Sequence, residues 1–159
     1  MTYQRMENEI MKEVKSDIWE YPSDYKCITI NGALRKNGTG VMGAGIALEA
    51  KLRYPDVEKT LGEHIKENNG KVRLCMLGHR LIGFPTKHHF IERNSDILLI
   101  KKSARELKRL KKLLPKNTTI ALTRPGCKNG HLEWKTVKPI LEKILKSDDF
   151  IIVDTNGDQ

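Results

Sequence analysis

One stretch restricts this chain more than any other: Asn31-Gly32-Ala33-Leu34-Arg35-Lys36-Asn37-Gly38-Thr39-Gly40-Val41-Met42-Gly43-Ala44-Gly45-Ile46-Ala47-Leu48. It follows the short apolar run Lys26 to Ile30, places four glycines within the eight residues from 38 to 45, and leads into a run of small and apolar residues suited to a helix. Glycines this dense remove Cβ atoms where backbone N–H groups turn toward a ligand, and the helix that follows directs its positive dipole end to the same place. The pattern predicts a phosphate cradle between a buried strand and a helix. Gly38-x-Gly40-x-x-Gly43 also fits a dinucleotide-binding fingerprint, but that unit needs an acidic residue closing its second strand, and the next strand-like segment, Lys71 to Met76, runs into Leu77-Gly78. A P-loop fails because no Gly-Lys-Ser/Thr follows the glycines. The remaining alternative is a flexible loop that does no more than precede an ordinary helix.

The rest of the chain alternates in a way that argues for a sheet between helices. An edge strand is expected from Glu9 to Val14, followed by a turn at Lys15 to Trp19 that carries Asp17, and a loop at Tyr21 to Asp24. Helices are expected at Gly45 to Leu52 and Val57 to Glu67, the second ended by Asn68-Asn69-Gly70. Lys71 to Met76 and Arg80 to Phe84 are predicted strands with a turn at Leu77-Gly78-His79. A long helix from Asp96 to Leu114 would start at Asn94-Ser95. The β-branched run Thr118 to Thr123 would then feed a second glycine loop, Arg124 to His131. An amphipathic helix at Glu133 to Leu145 and a strand at Phe150 to Val153 complete the series, with short polar tails at both ends. Such alternation predicts an α/β fold, and 159 residues fit one domain spanning residues 1–159.

Composition narrows the partners. A net charge of +9 favours polyanions, either nucleic acid or a phosphate-bearing small molecule, although the basic run Lys101 to Lys112 also has the spacing of a solvated helix face. Cys27, Cys75 and Cys127 show no paired spacing, which argues against a disulfide framework and for a reducing, cytoplasmic setting. No leader-like or bilayer-length apolar run is present, so secretion and membrane insertion are not expected. His88-His89 lacks supporting ligands at metal-binding spacing, so no metal is expected, and no cofactor.

Three ordered motifs, Gly40-Val41-Met42-Gly43-Ala44-Gly45-Ile46-Ala47-Leu48, Phe84-Pro85-Thr86-Lys87 and Gly126-Cys127-Lys128-Asn129-Gly130-His131-Leu132-Glu133-Trp134, together resemble macrodomains. The likeness is strongest to the branch containing the DarG antitoxin and related ADP-ribosyl glycohydrolases, and it runs from about Lys15 to Phe150. The resemblance implies a three-layer α/β/α domain with a central mixed sheet that binds ADP-ribose. By that likeness Asp17 and Ile18 receive the adenine end, and Asn31 stands beside the distal ribose. Val41, Met42, Gly43, Ala44 and Gly45 hold the diphosphate together with Gly126, Cys127, Lys128, Asn129 and Gly130, while Ile46, Ala47, Pro125 and His131 are further ligand-binding positions, and Thr86 lies on the same rim.

Lys87 aligns with the lysine held to be catalytic in this branch. An amine can attack the anomeric carbon of the distal ribose provided it is partly unprotonated, a condition that burial or nearby positive charge from His88, His89 or a helix end promotes. Two departures from the family pattern stand out. About four residues near Arg35 to Gly38 look inserted, which leaves Asn37 as an alternative to Asn31, and Gly130 stands where some eukaryotic relatives carry a catalytic aspartate. The resemblance thus implies an enzyme that removes ADP-ribose from DNA or protein, with a cognate ADP-ribosyltransferase toxin and nucleic acid as candidate partners, and a monomer. Alternatives are an ADP-ribose-binding module without turnover, an ADP-ribose 1″-phosphate phosphatase, and a nucleic-acid-binding domain whose glycine loops are structural.

Overall fold

A computed structural model describes residues 10–155. The polar tails expected at both ends fall largely outside that range. The elements follow in the order β1 (Lys12–Lys15), β2 (Tyr25–Ile30), α1 (Gly45–Arg53), α2 (Val57–Glu67), β3 (Cys75–Gly78), β4 (Leu81–Pro85), α3 (Ile97–Leu113), β5 (Ile120–Leu122), α4 (Trp134–Ile144) and β6 (Phe150–Asp154). The strands form one six-stranded sheet in the order β1-β6-β5-β2-β4-β3, parallel throughout except for β3, which runs antiparallel to β4. The sheet is therefore mixed.

Alternation along the central strands creates the layers. Cys27 of β2, Ile120 and Leu122 of β5, and Phe150 and Ile152 of β6 face one side, where they pack with Ile100, Ala104 and Leu107 of α3 and Val137 and Leu141 of α4. Ile28 and Ile30 of β2 face the other side, among Ala47 and Ala50 of α1 and Val57, Leu61 and Ile65 of α2. Ile151 and Val153 join them there with Ile18 and Ala121. The central strands β2, β4, β5 and β6 are covered on both faces, as a mostly parallel sheet requires. Because all strands but one point the same way, the carboxyl ends of β2, β4, β5 and β6 meet at one rim.

Three expectations are corrected by the structure. Lys71 to Leu74 are not in a strand, and the hairpin turn falls at His79-Arg80 rather than Leu77-Gly78-His79. His79 and Arg80 both take positive φ (55° and 58°), the backbone of a two-residue turn whose twist matches the flanking strands. The histidine is secured there from outside the hairpin: its ring stacks on Tyr54 at 4.2 Å and its Nε2 lies 2.8 Å from Asp56 Oδ1. The long helix also starts differently from the expected Asn94-Ser95. Asp96 is its N-cap, accepting from the N–H groups of Leu98 and Leu99.

Candidate functional site

The rim holds a cavity of about 480 Å³. The 38–45 loop reaches it from β2, Thr86 and Lys87 from β4, the 124–130 loop from β5, and Asp154 and Thr155 from the end of β6. Asp17 and Ile18, just past β1, complete the wall. Every site residue singled out from the sequence lines this cavity except Met42, Pro125 and His131. Met42 is fully buried in the core, and its N–H donates to Glu58 Oε2 at 2.8 Å, so it has no group to offer the cavity. Pro125 has no N–H, and the side chain of His131 is exposed outside the lining.

The two glycine loops approach each other. Gly45 takes φ +55°, and a Cβ built there would lie 2.8 Å from Asn129 Nδ2 of the second loop. Gly130 is packed more tightly still, because a side chain there would collide with Ser95 and with the Gly126 carbonyl. Behind Gly45, α1 begins at Ala44 with no side-chain cap. The first-turn N–H groups of Gly45, Ile46 and Ala47 have no intrahelical acceptor, and these residues line the cavity. Unsatisfied N–H groups at a positive dipole end make an anion site.

Lys87 lines the same cavity. Its Nζ donates to Asn129 O at 3.3 Å, which places the amine at the second glycine loop. The neighbouring histidines are engaged elsewhere. His88 Nε2 lies 2.9 Å from Asp96 Oδ2, and His89 packs its ring on Phe90 while its Nδ1 accepts from Ile91 N–H. Burial pulls the Asp96 carboxyl upward, but the hydrogen bonds from His88 and from the Leu99 and Leu98 N–H groups outweigh it and leave the pKa below the usual carboxylate value. Cys127 is the one thiol on the cavity wall. Burial raises it to about 11, so it stays protonated at neutral pH and offers no thiolate nucleophile.

Asn31 lines the cavity, donating through Nδ2 to Val41 O at 3.2 Å and accepting from Ala33 N–H at 2.9 Å. Asn37 does not line it; its side chain closes a turn by accepting from Thr39 N–H. Asp17 also closes a turn, accepting from Trp19 N–H through Oδ1 at 2.9 Å, while Oδ2 has no hydrogen bond among the described residues. No group of three or more His, Cys, Asp or Glu among the described residues is placed to hold a metal, and no described helix is long and apolar enough to cross a membrane.

The same arrangement of sheet and loops occurs in solved proteins. The macrodomain of Mycobacterium tuberculosis DarG matches with 24% identity and a TM-score of 0.71, over 92% of this chain and 99% of that one. The macrodomain of Thermus aquaticus DarG matches with 26% identity and a TM-score of 0.71, over 91% and 97%. Thermosipho africanus DarTG, solved in complex with ADP-ribose, matches with 22% identity and a TM-score of 0.73, over 97% of this chain and 45% of that longer one. The fold is that of a macrodomain. No family model matches the sequence, and no curated protein matches it. The likeness is thus carried by three-dimensional arrangement.

The cavity is also lined by residues that the sequence motifs do not mark. Thr123, Arg124, Asp154 and Thr155 lie at the ends of β5 and β6, where the rule that ligands bind beyond strand carboxyl ends would have pointed. Arg124 and Asp154 approach at 3.3 Å, yet Arg124 Nε and Asp154 Oδ2 are buried with no hydrogen-bond partner. Glu58 carries no motif at all. Its side chain, only 10% exposed, accepts from Met42 N–H and meets Arg35 at 2.8 Å and Lys51 at 3.2 Å. The turn around Arg35 to Gly38 is thereby tied back to α2, and the first glycine loop is fixed from behind.

Proposed function

We propose that the cavity binds ADP-ribose and that the protein hydrolytically releases ADP-ribose from a modified macromolecule, DNA or protein, with Lys87 as the attacking group. The observation that carries this reading is the meeting of three features at one rim: the uncapped start of α1, the second glycine loop packed against it through Gly45 and Asn129, and the Lys87 amine bonded to that second loop. The first two suit a diphosphate. The third supplies an amine on the same rim, and a diphosphate held on both sides would orient the sugar beyond it for reaction. The DarG macrodomain neighbours and the DarTG complex with ADP-ribose support the choice of ligand.

In this mechanism Asp17 Oδ2 accepts from the adenine exocyclic amine, Ile18 packs on the base, and the diphosphate accepts from the N–H groups of α1 and the 126–130 loop. Lys87 Nζ bonds to the anomeric carbon of the distal ribose. The bond to the modified group breaks, its electron pair leaves with that group, and a proton passes to it. Water then displaces the lysine and frees ADP-ribose. An ADP-ribosyltransferase acting as toxin partner is the natural source of such a substrate, a reading supported by the DarTG likeness.

The test is to incubate the protein with ADP-ribosylated DNA and ADP-ribosylated protein in parallel, beside the variant Lys87→Ala. The expected result is release from at least one substrate, reduced at least 100-fold in the variant, with ADP-ribose affinity retained. Undiminished release by Lys87→Ala overturns the lysine mechanism. Binding without release by the native protein leaves a reader of ADP-ribose in place of an enzyme.

A further inference from the structure

A second concave surface lies away from the macrodomain cavity, between α3 and α4. It is a groove of about 600 Å³ walled by Lys101, Arg105, Lys108, Arg109, Lys112 and Lys143, with Pro139, Ile140 and Ile144 at its floor and edge. No acidic residue lines it. Lys101, Arg105, Lys108 and Lys112 follow the i, i+4, i+7, i+11 spacing of one helix face, a row about 16 Å long at the rise of an α-helix. Among the described residues none of the six cations has an ion pair or a side-chain hydrogen bond. The neighbouring basic residues do: Lys111 pairs with Asp149 at 3.2 Å and Lys138 with Glu13 at 2.6 Å.

An ordinary solvated helix alternates charge sign so that residues four apart attract. Here Lys101 with Arg105, Arg105 with Arg109, and Lys108 with Lys112 are like-charged pairs at that spacing, and Lys143 of α4 adds positive charge across the groove. The arrangement costs stability, and no described side chain pairs with it. We propose that this groove is a docking surface for the phosphodiester backbone of a nucleic acid. The row matches a polymer with regularly spaced negative charge: at about 3.4 Å of duplex axis per phosphate on one strand, it spans about five phosphates. An acidic protein partner fits less well, because protein interfaces anchor on desolvated aromatic and aliphatic side chains, and the lining offers only Pro139, Ile140 and the buried Ile144. Recognition is of backbone and therefore independent of sequence. The groove opens about one helical turn into α3, whose first residue follows closely on Ser95 of the cavity wall, so a strand lying in it runs toward the cavity rim.

The test is fluorescence anisotropy with labelled single-stranded DNA, duplex DNA and RNA of mixed sequence, across a salt series, on the native protein and two triple variants. R105Q/K108Q/K112Q removes three groove charges, while K12Q/K59Q/K71Q removes three exposed lysines elsewhere and alters net charge equally. The groove variant is expected to bind at least tenfold more weakly at low salt, with the slope of log affinity against log salt shallower by about 2 to 3, whereas the control retains most of both. The arm that binds identifies the form of nucleic acid. ADP-ribose titrations on the same samples are expected to be unchanged, which separates this surface from the cavity whatever the cavity proves to bind. Should the groove variant lose thermal stability, K101Q/K143Q on the two walls replaces it. Equal behaviour of groove and control variants, absence of binding to every oligonucleotide, or competition by polyglutamate as strong as by unlabelled oligonucleotide would each overturn the proposal.

Discussion

The starts of α1 and α3 lie at the same rim of the sheet and are built in opposite ways. At α3, Asp96 accepts from two backbone N–H groups, its own N–H donates to Thr86 O, and its second oxygen meets His88. Nothing is left for a ligand. At α1 the N-cap is Ala44, which has no side-chain oxygen to offer, and the loop before it is held from the far side by Glu58 through Met42 N–H. The N–H groups of the first turn remain open toward the cavity. The difference teaches that an open helix start is made by keeping capping side chains away and fixing the loop from behind, so that stability and binding rest on different residues.

The largest effect that could break this contrast is at Gly45. Valine there meets both the left-handed backbone and Asn129, so Gly45→Val is expected to weaken ADP-ribose binding by about 100-fold or more, close to 3 kcal/mol in calorimetry. Wild-type affinity in that variant would remove α1 from the account. Next comes Glu58→Ala, which leaves the Met42 N–H and two cations without their shared acceptor. A loss of about 3 kcal/mol is expected, lowering the thermal midpoint by about 6 to 12 °C, and with it ligand affinity. Asp96→Ala should show the other half of the contrast: about 1 kcal/mol of stability lost, with ADP-ribose affinity changed less than threefold. A larger loss of affinity than of stability there would mean that the α3 start serves the ligand after all.

The smallest expected effect is on pH dependence. Burial alone would raise the Glu58 carboxyl, but the Met42 N–H and the Arg35 and Lys51 side chains bring it below its ordinary value, as happens at Asp96. Folded-state values below the unfolded ones stabilise at pH above the unfolded carboxylate range, and that stabilisation is lost as pH falls through the folded values. The thermal midpoint should therefore be flat from neutral pH down to about 5 and fall below about 4, with a shallower fall in Glu58→Gln. An unchanged fall in that variant would assign the acid sensitivity elsewhere.

What the sequence made legible follows from how local each cause is. The buried strands β2, β5 and β6 and the amphipathic helices announce themselves through periodicity, and the glycine loops through composition, so a sheet between helices and the two loops of the cavity could be read directly, while the places of Asp17, Ile18 and Asn31 came from the family resemblance. The His79-Arg80 turn could not, because its positive φ values rest on Tyr54 and Asp56, more than twenty residues upstream. Glu58 was hidden for the same reason: within its helix it reads as an acidic residue near the dipole end, and only the fold brings Met42, Arg35 and Lys51 around it. Met42 itself lies inside a glycine motif, yet its environment turns it into the core. The basic groove needed α4 beside α3 to become a groove rather than a helix face.

Titrating ADP-ribose into the native protein by calorimetry tests the open start of α1 most directly. A saturable heat at one site per chain, diminished in Gly45→Val and preserved in Asp96→Ala, is the predicted result. No heat with the native protein, together with an unshifted thermal midpoint at millimolar ligand, would contradict it.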